Sequence, residues 1–486
     1  MTDLARRLSG LLDAFRADPT DYETNARLGA LMFRVRRYQM AAEPHIRTAL
    51  KAGRRDDLTP VLLDALAHIH LLKGDPEGAV DVLARARDQF PDLADLAYRH
   101  GDALFRAGRW DDAMALWAQS NKALLDRAGD PPVFRLEPWE VTCRFFGEQA
   151  AKIDLFLKAR ALGLLPAGRA HLLAPPDRVA NSHLMTHWRA HLSLAETPAD
   201  LPAAATPLYL DYIPLPDGRV LHRDYAHHAV QGMWEAAGRA PLLTATDDPR
   251  AAAGLPADAW WVALHLREPG FFDEDEPWNQ NVHRNAAIAD YAPAIRAVTD
   301  RGGWVVRLGD PSMAPLPPAE RVIDYAHAAW RSARLDVDLI AGARLYVGMA
   351  SGPTSTATAF GVPVLGTNWI HLGPWPLGRD AMVLPKRLRD RATGRILTLA
   401  ECLQPPRLGA LEPRLFERLG LDVLDNDPDD IADAVAEMLD GPAPDPDNAR
   451  RQAAFRAQGD PLGVGPPPRC GAAFLRRHPG VLGALP

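Results

Sequence analysis

Along the first quarter of the chain, small and large apolar residues recur at a fixed spacing. ARLGALMFRVRRYQMA (26 to 41) aligns with YRHGDALFRAGRWDDA (98 to 113) at an offset of 72. This places Gly29 on Gly101, Phe33 on Phe105, Arg34 on Arg106, Tyr38 on Trp110 and Ala41 on Ala113. A third copy lies between them, with Ala67, Leu71, Gly74 and Ala79 each 34 residues before Gly101, Phe105, Gly108 and Ala113. The offset is therefore two 34-residue repeats plus four residues inserted near GRRD. A small residue, a large one four later, a Gly turn and a small Ala predict a helix–turn–helix unit. The small residues let paired helices approach, and the large ones fill the groove between repeats.

Period and residue classes together resemble the tetratricopeptide repeat over roughly residues 20 to 125. That resemblance implies a concave groove holding a peptide or protein, or else a capping or dimerising scaffold. Pro131 and Pro132 mark the expected boundary of this region.

Beyond them the pattern changes. VTCRFF (141 to 146) reads as a buried strand and GEQAAKIDLFLKARALG as a helix. AHLLAP (170 to 175) and LYLDYI (208 to 213) read as further strands. In the second half WWVALHLR, WVVRLGD, RLYVGM and VPVLGTN read as strands, separated by helices over YAPAIRAVTDRGG, VDLIAGA and the end of SGPTSTATAFG. Strand and helix alternating at this spacing predict parallel, doubly wound sheets. The expected organisation is a helical repeat domain (1 to 130) and two Rossmann-like domains (131 to 255 and 256 to 486), with PGVLGALP packing back on the first of these two.

Composition narrows the function. A chain of 486 residues exceeds one hydrophobic core. The formal net charge of −7 argues against a dedicated nucleic-acid binder. Three scattered cysteines give neither a disulfide framework nor a metal knuckle. The N-terminus lacks the unbroken apolar run of a signal peptide. No stretch reaches the roughly 20 apolar residues that span a bilayer. A cytoplasmic protein without an integral membrane segment is expected.

Ligands of such sheets sit beyond the carboxyl ends of the strands. Three loops qualify: His265-Leu266-Arg267-Glu268, Arg307-Leu308-Gly309-Asp310, and Met349 through Ser355. The third joins Ser351, Gly352, Thr354 and Ser355 at a strand-to-helix turn. Free backbone N–H groups, hydroxyls and a positive helix end there suit a diphosphate, although Ser and Thr are also ordinary helix caps. Arg267 and Arg307 on neighbouring strand ends add anion-binding forks.

HLRE followed by PGFF, His283-Arg284-Asn285, Tyr291, WVVRLGD, IDYA, LDVDL and YVGMASGPT resemble a family of bacterial glycosyltransferases in which this domain often follows tetratricopeptide repeats. FFGEQAAKID and RVANSHLMTHW are similar to it too, so the resemblance spans roughly 140 to 480. The H-x-R turn is also similar, over a shorter stretch, to fucosyltransferase-like enzymes. The resemblance implies a GT-B fold, no cofactor, and metal-independent transfer from a nucleotide sugar. It implies a donor site of His265, Arg267, Arg307, Gly309, Ser351, Gly352, Thr354 and Ser355. Glu148, Asn181, Arg284 and Asn285 are expected on the acceptor side. Arg267 is expected to neutralise the leaving diphosphate; Glu268 and Asp273, with Asp310 behind them, are candidates for the base. The acceptor is expected to be a protein or glycan recruited by the repeat groove.

Other signals are plainer. The run Asp273 to Glu276 reads as a solvated loop or a lid. Trp369, His371 and Trp375 suit either sugar stacking or core packing. His183, His187 and His191 share a helix face at zinc-compatible spacing, but no carboxylate or Cys lies near them in sequence, so no metal is expected. The competing readings are a Rossmann scaffold without turnover and a sugar-nucleotide epimerase or phosphorylase.

Overall fold

The computed structural model describes residues 3–35, 38–269 and 282–483. Its contacts divide the chain into two compact units. Among the described residues, the first is the chain up to Ser120 together with Glu412–Leu419, and the second is the rest. The two expected Rossmann parts therefore belong to one unit.

In the first unit, α1 (Asp3–Ala17) precedes three antiparallel pairs: α2 (Tyr22–Arg34) with α3 (Glu43–Lys51), α4 (Leu58–Leu72) with α5 (Pro76–Gln89), and α6 (Ala94–Arg106) with α7 (Trp110–Leu125). The small repeat positions act as predicted. A Cβ on Gly29 would stand 2.8 Å from Ile46 Cγ1, and one on Gly101 would stand 2.1 Å from Trp117 Nε1. Phe105, the large residue of the last repeat, stacks between Trp110 and Trp117. A short helix from far along the chain, Pro413–Arg418, completes this unit. Leu415 packs on Gly74, Arg106 pairs with Glu412 at 2.6 Å, and Arg418 donates to the Lys73 and Gly74 carbonyls.

The second unit holds two main sheets. The first joins β1 (Val133–Glu137), β2 (Arg169–Leu173), β3 (Ser193–Ala195) and β4 (Thr206–Tyr209) in the order β3-β2-β1-β4, all parallel. The expected strand at 141 to 146 is instead α8 (Trp139–Arg144) running into α9 (Phe146–Ala161). Of its apolar run, Val141 and Phe145 are exposed at 37% and 40%, and only one side of the helix is buried. The strand lies just upstream, where Phe134 and Leu136 alternate with half-buried neighbours. Between β2 and β3 runs α10 (Ser182–Trp188). LYLDYI is broken at Leu210-Asp211 into β4 and β5 (Tyr212–Pro214); β5 pairs in a separate hairpin with β6 (Val220–His222), which leads into α11 (Arg223–Ala236).

After a single turn, α12 (Arg250–Ala253), the second sheet begins. It contains β7 (Trp261–His265), β8 (Trp304–Leu308), β9 (Val322–Asp324), β10 (Leu345–Gly348), β11 (Val364–Trp369), β12 (Met382–Pro385) and a final strand, Arg469–Cys470. Helices α13 (Ala292–Thr299), α14 (Ala333–Ala341) and α15 (Gly352–Ala359) follow as crossovers. Every strand pairing is parallel, and the order is β9-β8-β7-β10-β11-β12 with the final strand at the edge. The order reverses between β7 and β10. As far as Gly483, the described part of this end packs within the second sheet's surroundings and not on the first: Leu482 O accepts from Gln458 and Gly483 lies against Thr398. No helix among the described residues is long and apolar enough to cross a membrane.

Candidate active site

The reversal point between β7 and β10 is where an open parallel sheet leaves a crevice for ligand. The sequence places His265 at the end of β7 and Ser351 after β10, and the fold joins them: Ser351 Oγ lies 3.1 Å from His265 Nδ1. Burial, then the charges of Arg267, Arg307 and Arg284, push His265 down to about 3, so its ring is neutral. Ser351 occupies the N-cap of α15, yet no side chain caps that helix. Thr354 turns its hydroxyl inward to Met349 O at 2.6 Å and is buried. The positive end of α15 therefore opens toward solvent with Ser351, Gly352 and Ser355 around it.

Arg284 was expected on the acceptor side, but it stands at this loop. Its Nε donates to Ala350 O at 3.0 Å, and the guanidinium lines the same cleft. Arg267 is half-buried beside His265, with its backbone N–H on Met349 Sδ. Arg307 departs from the expectation. It is wholly buried, bonded to Glu268 at 2.6 Å, Asp324 at 3.1 Å and Ala314 O at 2.7 Å. The other Glu268 oxygen accepts from Ala314 N–H. Arg307 and Glu268 neutralise one another inside the sheet end, so neither is presented as a phosphate fork or a base. Gly309 is a packing requirement: its φ is +150° and a Cβ would meet Met313 Sδ at 1.9 Å. Asp310 accepts from Ser312 N–H in a local turn. Asp273 and the acidic run to Glu276 lie outside the described residues.

The facing wall comes from the first sheet's helices. Gly147 and Glu148 open α9, and Arg223, Asp224 and His227 open α11; all line one cleft of about 260 Å3 with Arg284 and Ser351. Arg223 donates one hydrogen bond to Glu148 at 2.9 Å and makes an ion-pair contact with its other oxygen at 2.8 Å, and its Nε lies 2.8 Å from Asp211. Lys152, 2% exposed, pairs with Asp211 at 2.8 Å. Three carboxylates thus meet two cations. Asp224 lies 3.5 Å from Arg223 and, like Glu148, lines the cleft, without the close pairing that holds Glu148. Burial pushes its carboxyl up, but the neighbouring charges, Arg223 first, outweigh it and hold it below the ordinary range. His227 is pushed down to about 3, first by burial and then by Arg223, and is neutral. A strand ending in His222 and followed at once by Arg-Asp at a helix start was the available signal for this pair.

Of the remaining expected residues, Asn181 caps α10 through Leu184 N–H and donates to Ala333 O, a buried structural role. Asn285 is half-buried, its carbonyl 3.4 Å from Lys386 Nζ. Trp369, His371 and Trp375 all line the cleft; both tryptophans are largely buried and bond backbone carbonyls through their indole N–H groups. A larger hollow of about 680 Å3 runs past Arg219, His228 and Pro466, away from the reversal point.

Residues 70–130 match the family model of the tetratricopeptide repeat. The N-terminal unit is a tetratricopeptide-like repeat array. No curated protein matches this chain. Among solved structures, the chain is similar to the iron-containing dodecameric glycosyltransferase TibC of enterotoxigenic E. coli, with 13% identity over 51% of this chain and 61% of that one, TM-score 0.29. It is also similar to a point mutant of Thermobaculum terrenum O-GlcNAc transferase, at 14% identity over 75% and 79%, TM-score 0.31. A glycosyl transferase family 9 protein of Veillonella parvula gives 14%, 48% and 66%, TM-score 0.23. The chain thus spans less than two thirds of the TibC and family 9 chains. At these scores the likenesses have no bearing on its chemistry.

Proposed function

We propose that the protein is a GT-B glycosyltransferase that moves a sugar from a nucleoside-diphosphate sugar to a protein or surface-glycan hydroxyl. The observation that carries the reading is the uncapped N-terminus of α15 at the β7/β10 reversal, with Arg284 beside it and Asp224 across the same cleft. An uncapped helix end and a guanidinium suit a diphosphate; a deprotonated carboxylate opposite suits an acceptor alcohol. Asp224 takes the acceptor proton as the oxygen attacks the anomeric carbon. The bond from that carbon to the diphosphate oxygen breaks, and α15, Ser351 and Arg284 stabilise the charge that develops there. Arg267 contributes field from the β7 end. Neither step calls for a metal. The repeat groove recruits the acceptor.

The test is a thermal-shift screen of the full chain with GDP, UDP, CMP and dTDP sugars, without added metal. One class of diphosphate should raise the melting temperature, and the shift should vanish in Arg284→Ala. If the folded wild type responds to none, the protein is a binding scaffold.

A further inference from the structure

Away from the cleft, the fold brings to a pair of histidines a carboxylate from more than 150 residues further along the chain. His183 and His187 stand one turn apart on α10, and Asp338 reaches them from α14. One ligand atom from each lies within 4.8 Å of the other two, and His183 Nε2 is 3.4 Å from Asp338 Oδ1. A tetrahedral zinc with bonds of about 2.0–2.1 Å sets its ligand atoms roughly 3.4 Å apart, so that edge is already in place.

The groups are built in rather than incidental. Asp338 is 2% exposed. Its Oδ2, His183 Nε2 and His187 Nε2 are all buried with no hydrogen-bond partner among the described residues. Leaving such atoms unmade costs roughly 1–3 kcal/mol each. The neighbouring charges are Arg334, 3.6 Å from Asp338, and Asp247, 3.7 Å from Arg334; they offset each other. Phe360 meets the His187 ring edge-on at 5.3 Å and holds its orientation. His191, beyond the end of α10, is not part of the set. The carboxylate that was missing near these histidines in sequence is Asp338.

We propose that His183, His187 and Asp338 bind a divalent transition ion such as Zn²⁺, with water completing its shell. The ion clamps α10, from the first sheet's crossover, to α14 of the second. It works beside the Asn181 to Ala333 hydrogen bond that ties the same helices. Its role is to hold the two sheets in register around the cleft; none of its ligands lines that cleft.

The experiment uses untagged full-length protein, stripped with chelator and titrated with Co²⁺, alongside His187→Asn and Asp338→Asn. Circular dichroism melts check that each variant is folded. Wild type should take up one equivalent with visible d–d absorption of four-coordinate intensity, and Zn²⁺ should displace it and raise the melting temperature. Each variant should bind more weakly by more than the roughly 10–100-fold that an outer-shell partner is worth. No uptake by wild type, or equal uptake by both folded variants, overturns the proposal and leaves an ordinary His–Asp ion pair. Because the readouts are metal uptake and stability, failure here does not touch the transferase reading, nor the reverse.

Discussion

Gly147 and Gly352 meet backbone to backbone: a Cβ on Gly147 would stand 2.5 Å from Gly352 Cα, and one on Gly352 would stand 2.8 Å from Gly147 N. The starts of α9 and α15 therefore touch through backbone atoms alone. This contact sets the width of the cleft at the uncapped end of α15. Gly147→Ala forces backbone to move, with no flexible side chain to yield. The expected cost is about 1–3 kcal/mol in chemical denaturation, with donor affinity falling as well. A variant as stable as wild type would show that the contact is slack.

Arg284 and Arg307 should separate binding from folding. Arg284→Ala should abolish nucleotide-dependent stabilisation with little change in the melting temperature of the free protein. Arg307→Ala removes a buried partner and leaves Glu268 without its counter-charge, which costs roughly 3–5 kcal/mol. Melting curves with and without nucleotide distinguish the two. Loss of nucleotide response with full stability in Arg307→Ala would return that residue to the donor site.

Asp224→Asn keeps shape and removes the carboxylate. Turnover should drop by about 10²–10⁴-fold, the usual worth of a general base, while the nucleotide-induced melting shift persists. Asp310→Asn, whose carboxylate is occupied in a local turn, should retain turnover. If the two behave alike in steady-state assays, the assignment of Asp224 fails.

Stability should fall with acid over a defined window. His227 and His265 are pushed down to about 3, and His228 to about 4, chiefly by burial. In the unfolded chain they take up protons near pH 6.5. Between these limits the unfolded state binds more protons, so unfolding free energy rises with pH and is complete above about 6.5. Denaturation midpoints measured from pH 4 to 8 should climb and then level. His227→Gln should flatten the climb, and an unchanged slope would mean that this ring is protonated in the native protein.

Removing the chain before residue 130 should not yield a well-behaved enzyme. The helix Pro413–Arg418 belongs to the repeat unit, and Leu415, packed on Gly74, would lose its cover. Such a truncation should bind a hydrophobic dye and aggregate, and Leu415→Ser within it should reduce both. A soluble, dye-negative truncation would show that the segment stands without the repeats.

The repeats and the second sheet were legible because their signals are local. A 34-residue period fixes which small residues face which helices, and strands buried on both faces must read as apolar runs bounded by turns. The loops after β7 and β10 followed from the same logic, and His265 and Ser351 do meet there. Local pattern failed where one apolar run fits two structures: VTCRFF pairs with nothing and coils into α8, and the true strand sits next to the prolines that marked the boundary.

Which polar residue is free to act was decided only in three dimensions. Arg307 and Glu268 carried the right chemistry in the right loops, but they face one another in the interior, and mutual neutralisation removes both charges from use. Arg284 crossed from the expected acceptor wall to Ala350 O, since a residue far along the chain reaches either wall at no sequence-visible cost. Asp224 and His227 gain their protonation states from Arg223 and from burial, neither of which composition records. Asp338 completes the histidine set from α14, more than 150 residues away. Periodicity is a property of neighbours along the chain, whereas charge pairing, desolvation and ligand geometry depend on neighbours in space, and only folding supplies those.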